Sequence, residues 1–266
     1  AANGLFLLLG LGLSDQDFRE WGWRVPFLAS ALLVGIGLWV RLRIGETPAF
    51  RAAQAREAPP AVPLARLLGH HSGAVLAGAA GVVACFAIFY LATAYALARG
   101  TGPLGYRRES FLAVQLAANL FLAVGIVASA VLSDRWGSRR VLLLGAAATV
   151  PLGLVFGPGL SAGSLLLVFV TIALALLVMG CVYGPLGSWL PTLFPVHVRY
   201  SGISVAFTGG GIVGGALAPI AAQMLSEAGG ARQVGLLLSA AGLITFAGAW
   251  FAKPAGVAPA QPARSR

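Results

Sequence analysis

Apolar runs long enough to cross a lipid bilayer recur along the chain, and nothing else in the sequence restricts its fold as much. A helix crossing a ~30 Å hydrocarbon layer needs about 20 predominantly apolar residues at 1.5 Å each. Runs of roughly that length occupy about 24-42, 73-98, 110-133, 141-158, 164-190, 200-225 and 232-252. A further run, 1-13, would span only ~20 Å as a helix and is too short to cross unaided. Composition agrees: 58% of residues are hydrophobic and 10% charged, against roughly 25% charged in soluble domains. A water-soluble fold could not hide so much apolar surface. The expected class is an all-α polytopic membrane protein, with the lipid bilayer as its surroundings.

A net charge of +10 raises nucleic acid as a partner, because clustered Lys and Arg bind phosphate backbones. The basic residues here do not cluster. Apart from Lys253 they are all Arg, and they occupy short segments between apolar runs, where cationic side chains orient membrane proteins. If the connection 43-72 is cytoplasmic, that side holds twelve of the 18 basic residues, among them Arg41, Arg43, Arg135, Arg139, Arg140 and Arg199. The excess favours this orientation and a cytoplasmic C-terminal tail. No nucleic-acid partner is expected.

The connection 43-72 carries Pro48, Pro59, Pro60 and Pro63 among Arg, Ala and Gln, a composition that breaks helices and stays hydrated. A domain boundary is placed there, between residues 1-42 and the six apolar runs of 73-252. The Pro- and Ala-rich tail 253-266 is expected to be disordered. Six helices are half of the twelve-helix plan that many transporters build from inverted repeats. The chain begins at Ala1 without Met, a basic n-region or an A-x-A-like cleavage pattern, so 1-13 reads as a cut helix and not as a signal peptide.

Between two apolar runs lies Ser133-Asp134-Arg135-Trp136-Gly137-Ser138-Arg139-Arg140, which resembles the D-R-x-G-R-R signature of the major facilitator superfamily. Three other stretches sharpen the resemblance: Trp21-Gly-Trp-Arg-Val-Pro-Phe27, Arg41-Leu-Arg-Ile-Gly-Glu-Thr-Pro48, and Tyr183-Gly-Pro through Leu193-Phe-Pro-Val-His-Val-Arg-Tyr-Ser-Gly202. Together they resemble the metabolite:proton symporter family, whose members move osmolytes, dicarboxylates or shikimate-like acids. The resemblance implies the C-terminal six-helix half of that fold plus the end of the N-terminal half, with four helices and most of a fifth missing. It implies secondary active transport of a small polar metabolite or organic acid by alternating access, coupled to protons, in the bacterial cytoplasmic membrane. The missing N-terminal half would then be a necessary partner, and the fragment alone inactive. It also makes Asp134, Arg135, Gly137, Arg139 and Arg140 a cytoplasmic latch. Read from the residues alone, Asp134 can pair with the neighbouring arginines in a network at a partly dehydrated membrane edge, or the arginines only set topology.

Polar residues fall on stripes inside the runs. In 110-133, Gln115, Asn119, Ser129 and Ser133 share a helical face, and in 73-98 Phe86, Tyr90, Thr93 and Leu97 do so. Polar groups in hydrocarbon seek a partner or water, so these stripes should face the bundle interior or a cavity. With Tyr183 on 164-190, the family resemblance makes Tyr90, Thr93, Gln115 and Asn119 candidate substrate contacts. Hydrogen bonds between helices are the other reading of each. Gly210/Gly214 and Gly211/Gly215 have the small-xxx-small spacing of close helix packing, and Pro151, Pro185 and Pro219 can bend helices.

An absence also informs. All acidic residues lie in connections or at helix ends, Glu109 and Asp134 included, although proton coupling usually requires an intramembrane ionisable group. The coupling carboxylate is therefore expected in the missing half, with Glu109 as the only local substitute. No catalytic cluster, metal site or cofactor site is expected. Gly209 to Gly214 matches G-x-G-x-x-G inside an apolar helix without the strand that fingerprint needs. Gly159-Leu-Ser161-Ala-Gly163 matches G-x-S-x-G, but His70, His71 and His197 fall on the opposite membrane face. Cys85 and Cys181 sit in separate runs as small apolar residues. A receptor or assembly subunit of transporter ancestry remains the other functional class.

Overall fold

The apolar runs become helices whose ends fall within a few residues of their expected bounds. In the computed structural model, which describes residues 2–43 and 63–255, these are α1 (Ala2–Gly12), α2 (Asp15–Glu20), α3 (Val25–Arg43), α4 (Pro63–His70) and α5 (Ser72–Thr101). They continue as α6 (Arg108–Trp136), α7 (Ser138–Leu160), α8 (Leu165–Leu193), α9 (Val196–Gly229) and α10 (Ala231–Phe251). Among the described residues, seven helices are long and apolar enough to cross a membrane: α3, extended by the turn Gly22–Arg24, and α5 to α10. The connection 44–62 and the tail 256–266 lie outside the described residues.

One expectation for the connection is corrected. Pro63 opens a helix, α4, where a hydrated irregular segment was expected. A proline is tolerated at the first helical position because its missing N–H would have no partner there. Leu67 of α4 is fully buried, where the helix packs on the start of α9.

The bundle is apolar outside, as a lipid solvent demands, and its mostly apolar interior holds the few buried polar side chains, Gln115, Ser129, Thr149, Thr171, Ser239 and Thr245. On α6, Leu120, Val124, Val127 and Val131 are exposed at spacings of three and four, whereas Gln115, Ala118, Gly125 and Ser129 are buried. Burial cannot drive helices together in hydrocarbon, so small residues and hydrogen bonds must. α10 lies along α7 and α5, α8 along α6 and α7, and α9 along α5. At the crossing of α9 with α5, a Cβ on Gly210 would stand 2.4 Å from the Ala79 carbonyl oxygen, and one on Gly214 2.3 Å from that of Val83. Between α6 and α8, Ser129 Oγ donates to the Gly180 carbonyl at 3.0 Å. Between α10 and α5, the Thr245 hydroxyl enters the backbone ladder itself: it accepts from Ala84 N and donates to Ala80 O, both at 2.9 Å.

Candidate functional site

The loop Ser133–Arg140 is a tight reversal between α6 and α7. Gly137 makes it possible with φ 85° and ψ 138°, a conformation that side-chain-bearing residues avoid. The reversal does not assemble the expected network. Asp134 is exposed and has no ion pair with Arg135, Arg139 or Arg140; among the described residues the ion pair that forms is Arg107 with Glu109, at 3.7 Å. Arg139 turns away from Asp134 toward the end of α10, donating from Nε to the Ala249 carbonyl at 3.0 Å and from Nη2 to that of Trp250. Those carbonyls lie in the last turn of a helix, where no backbone donor remains and a cation is favoured.

The five cavity candidates divide. Tyr90 and Tyr183 are open, at 38% and 42% exposure. Around Tyr90 stands an aromatic group, with Phe86 stacked at 6.5 Å, Phe89 edge-on at 5.5 Å, and Phe207 of α9 edge-on to Phe86 at 5.1 Å. Gly211 and Gly215 of α9 leave room for Phe86 and Tyr90: a Cβ on Gly215 would lie 2.9 Å from the Tyr90 ring. Thr93 Oγ1 donates back to the Phe89 carbonyl at 2.6 Å, and Asn119 Nδ2 to the Gln115 carbonyl at 2.8 Å.

Gln115 is closed off, and of the two readings the sequence left for it the structure shows the hydrogen bond between helices. It is 1% exposed, and its Nε2 donates to the carbonyls of Ala92, at 3.0 Å, and Thr93, at 2.8 Å. The stripe correctly turned it inward but could not show what it meets. Its acceptors belong to a π turn, Leu91–Tyr95, within α5, and no proline or glycine marks that turn in the sequence. No hydrogen bond or ring contact links Tyr183 to the other four candidates, among the described residues. Nor do those residues contain a cluster of three His, Cys, Asp or Glu that could hold a metal.

Comparison with known proteins decides the family. The profile described as Major Facilitator Superfamily matches residues 1–219, most of the chain. The chain belongs to the Major Facilitator Superfamily. Within this superfamily it is 36% identical to the inner membrane metabolite transport protein YhjE of Escherichia coli over 252 residues, 92% of this chain and 57% of that protein. It is 33% identical to the shikimate transporter of Escherichia coli, over 92% of this chain and 57% of the relative. With the proline/betaine transporter of Salmonella typhimurium it shares 26% identity, over 84% and 46% respectively. The chain thus spans about half the length of the curated relatives it matches, and its Ser133–Arg140 reversal lies inside the region that the superfamily profile matches.

Proposed function

We propose that the protein carrying this chain is a secondary active transporter that moves a small polar metabolite or organic acid across the bacterial cytoplasmic membrane by alternating access, coupled to protons. The superfamily match over 1–219, with relatives described as metabolite, shikimate and proline/betaine transporters, carries the reading. Local chemistry supports it. Tyr90 and Tyr183 place phenol groups at open positions of an otherwise apolar bundle. A phenol donates to a carboxylate, and an aromatic face attracts a cationic group, which suits organic acids and zwitterions. The loop with Asp134, Arg135, Gly137, Arg139 and Arg140 serves as the cytoplasmic latch: Asp134 is free of ion pairs here and pairs in the opposite conformation.

Proton coupling belongs to a group outside these residues, because Glu109 sits at the first turn of α6, about half exposed beside Arg107. The test is uptake of labelled shikimate, proline and glycine betaine into proteoliposomes under an imposed pH gradient. Uptake of at least one, abolished by a protonophore and retained in Glu109→Gln, is the expected outcome. No gradient-dependent uptake of any small carboxylate would overturn the reading, and loss of coupling in Glu109→Gln would move the coupling group to α6.

A further inference from the structure

Two π turns interrupt the long helices, and only one is explained by its own sequence. In α9 the turn Ile212–Leu217 precedes Pro219. A proline lacks the N–H and presses its ring on the carbonyl four residues back, here that of Gly215, and a wider turn relieves the clash. In α5 the turn Leu91–Tyr95 reads Leu-Ala-Thr-Ala-Tyr, with nothing that widens a helix locally. A wide turn leaves carbonyls short of ladder donors, and within a membrane these must be satisfied by protein. Gln115 of α6 donates to two carbonyls of the turn, Ala92 O and Thr93 O, at 3.0 and 2.8 Å, the second of which also accepts from Ala96 N–H. Its primary amide has two N–H groups, one for each carbonyl. The reverse orientation would set its oxygen against two carbonyl oxygens.

Both ends of α5 are held independently of that turn. Before it, Thr245 is inserted at Ala80 and Ala84, and Gly210 and Gly214 press on Ala79 and Val83. After it, Gly100 receives the Phe111 ring, 2.2 Å from where a Cβ would be, and Arg99 Nη1 donates to Ser226 at 2.7 Å. One extra residue in a turn offsets the two segments by about 100°. The phase of Tyr90 relative to the Gly100 end is therefore taken up at Leu91–Tyr95.

We propose that Gln115 is a positioning residue: it holds the π turn of α5 and so sets the direction in which Tyr90 faces the substrate path. The role of Tyr90 rests on the transport reading above; the hold on the turn does not. Amide hydrogen exchange over 91–101, measured on the whole protein in nanodiscs, tests the hold. Exchange there should rise about tenfold or more in Gln115→Leu and by less in Gln115→Glu, whose neutral form keeps one donor. Exchange within about twofold of the unmutated protein in Gln115→Leu would overturn the proposal. Should that variant not fold, the side-chain amide protons of Gln115 in 15N-glutamine-labelled unmutated protein decide it. They must be protected relative to those of exposed Gln223, and equal exchange would overturn the hold. In uptake, Gln115→Leu should raise KM about tenfold with kcat within about twofold. An unchanged KM with a loosened turn would overturn the positioning of Tyr90. If the unmutated protein transports nothing while Gln115 is protected, the transport reading fails and the hold on the turn stands.

Discussion

Arg139 and Asp134 are two charges of one loop with different duties in this conformation. The guanidinium of Arg139 answers the last carbonyls of α10, tying the α6–α7 reversal to the end of that helix. Asp134 is exposed and unpaired, so removing its charge costs this conformation nothing. Arg139→Ala should lower thermal stability in detergent by about 1–2 kcal/mol, the scale of hydrogen bonds from a charged donor that water partly replaces. On the proposed latch, Asp134→Asn should leave the melting temperature unchanged while slowing uptake, because its partner would belong to the other state. Equal destabilisation by the two substitutions would mean that the ion-pair network is formed in this state as well.

At the scale of elements, the bundle depends on how closely helices approach, and consecutive glycines of α9 report this separately. A Cβ at Gly209 would meet only the Ala79 Cβ, at an ordinary 3.7 Å. At Gly210 and Gly214 it would meet backbone oxygens at 2.4 and 2.3 Å. Gly209→Ala should therefore be neutral or stabilise by up to about 1 kcal/mol through helix propensity. Gly214→Ala should destabilise by about 1–3 kcal/mol, because α9 must move off α5 to admit the methyl group. Thermal unfolding of both variants in the same detergent provides the comparison, and equal effects would remove the argument for close packing at this crossing.

For the whole molecule, the arginine distribution assigns an orientation that packing does not. A cysteine at Ser161, in the exposed turn after α7, should react with an impermeant maleimide added to intact cells, and one at Ser138 only after permeabilisation. The reverse pattern would invert the topology. The seven long helices, their approximate ends and the inward turn of Gln115 and Ser129 were legible in the sequence, because length, hydropathy and period are local properties that a bilayer reads one helix at a time. Helix α4 was hidden by its proline, whose effect depends on whether it opens a helix or interrupts one. The acceptors of Gln115 and Arg139, the insertion of Thr245 at Ala80 and Ala84, and the π turn at Leu91–Tyr95 were not legible. Each joins segments distant in the chain, and the partner is a backbone carbonyl or amide, a group every residue carries and no motif marks. The sequence by itself determined that seven helices are long and apolar enough to cross a membrane and that Gln115 and Ser129 turn inward, since these follow from each segment's exchange with lipid. Only the tertiary structure decided which inward polar groups remain open and which are consumed by neighbouring helices, because that depends on contacts formed after insertion.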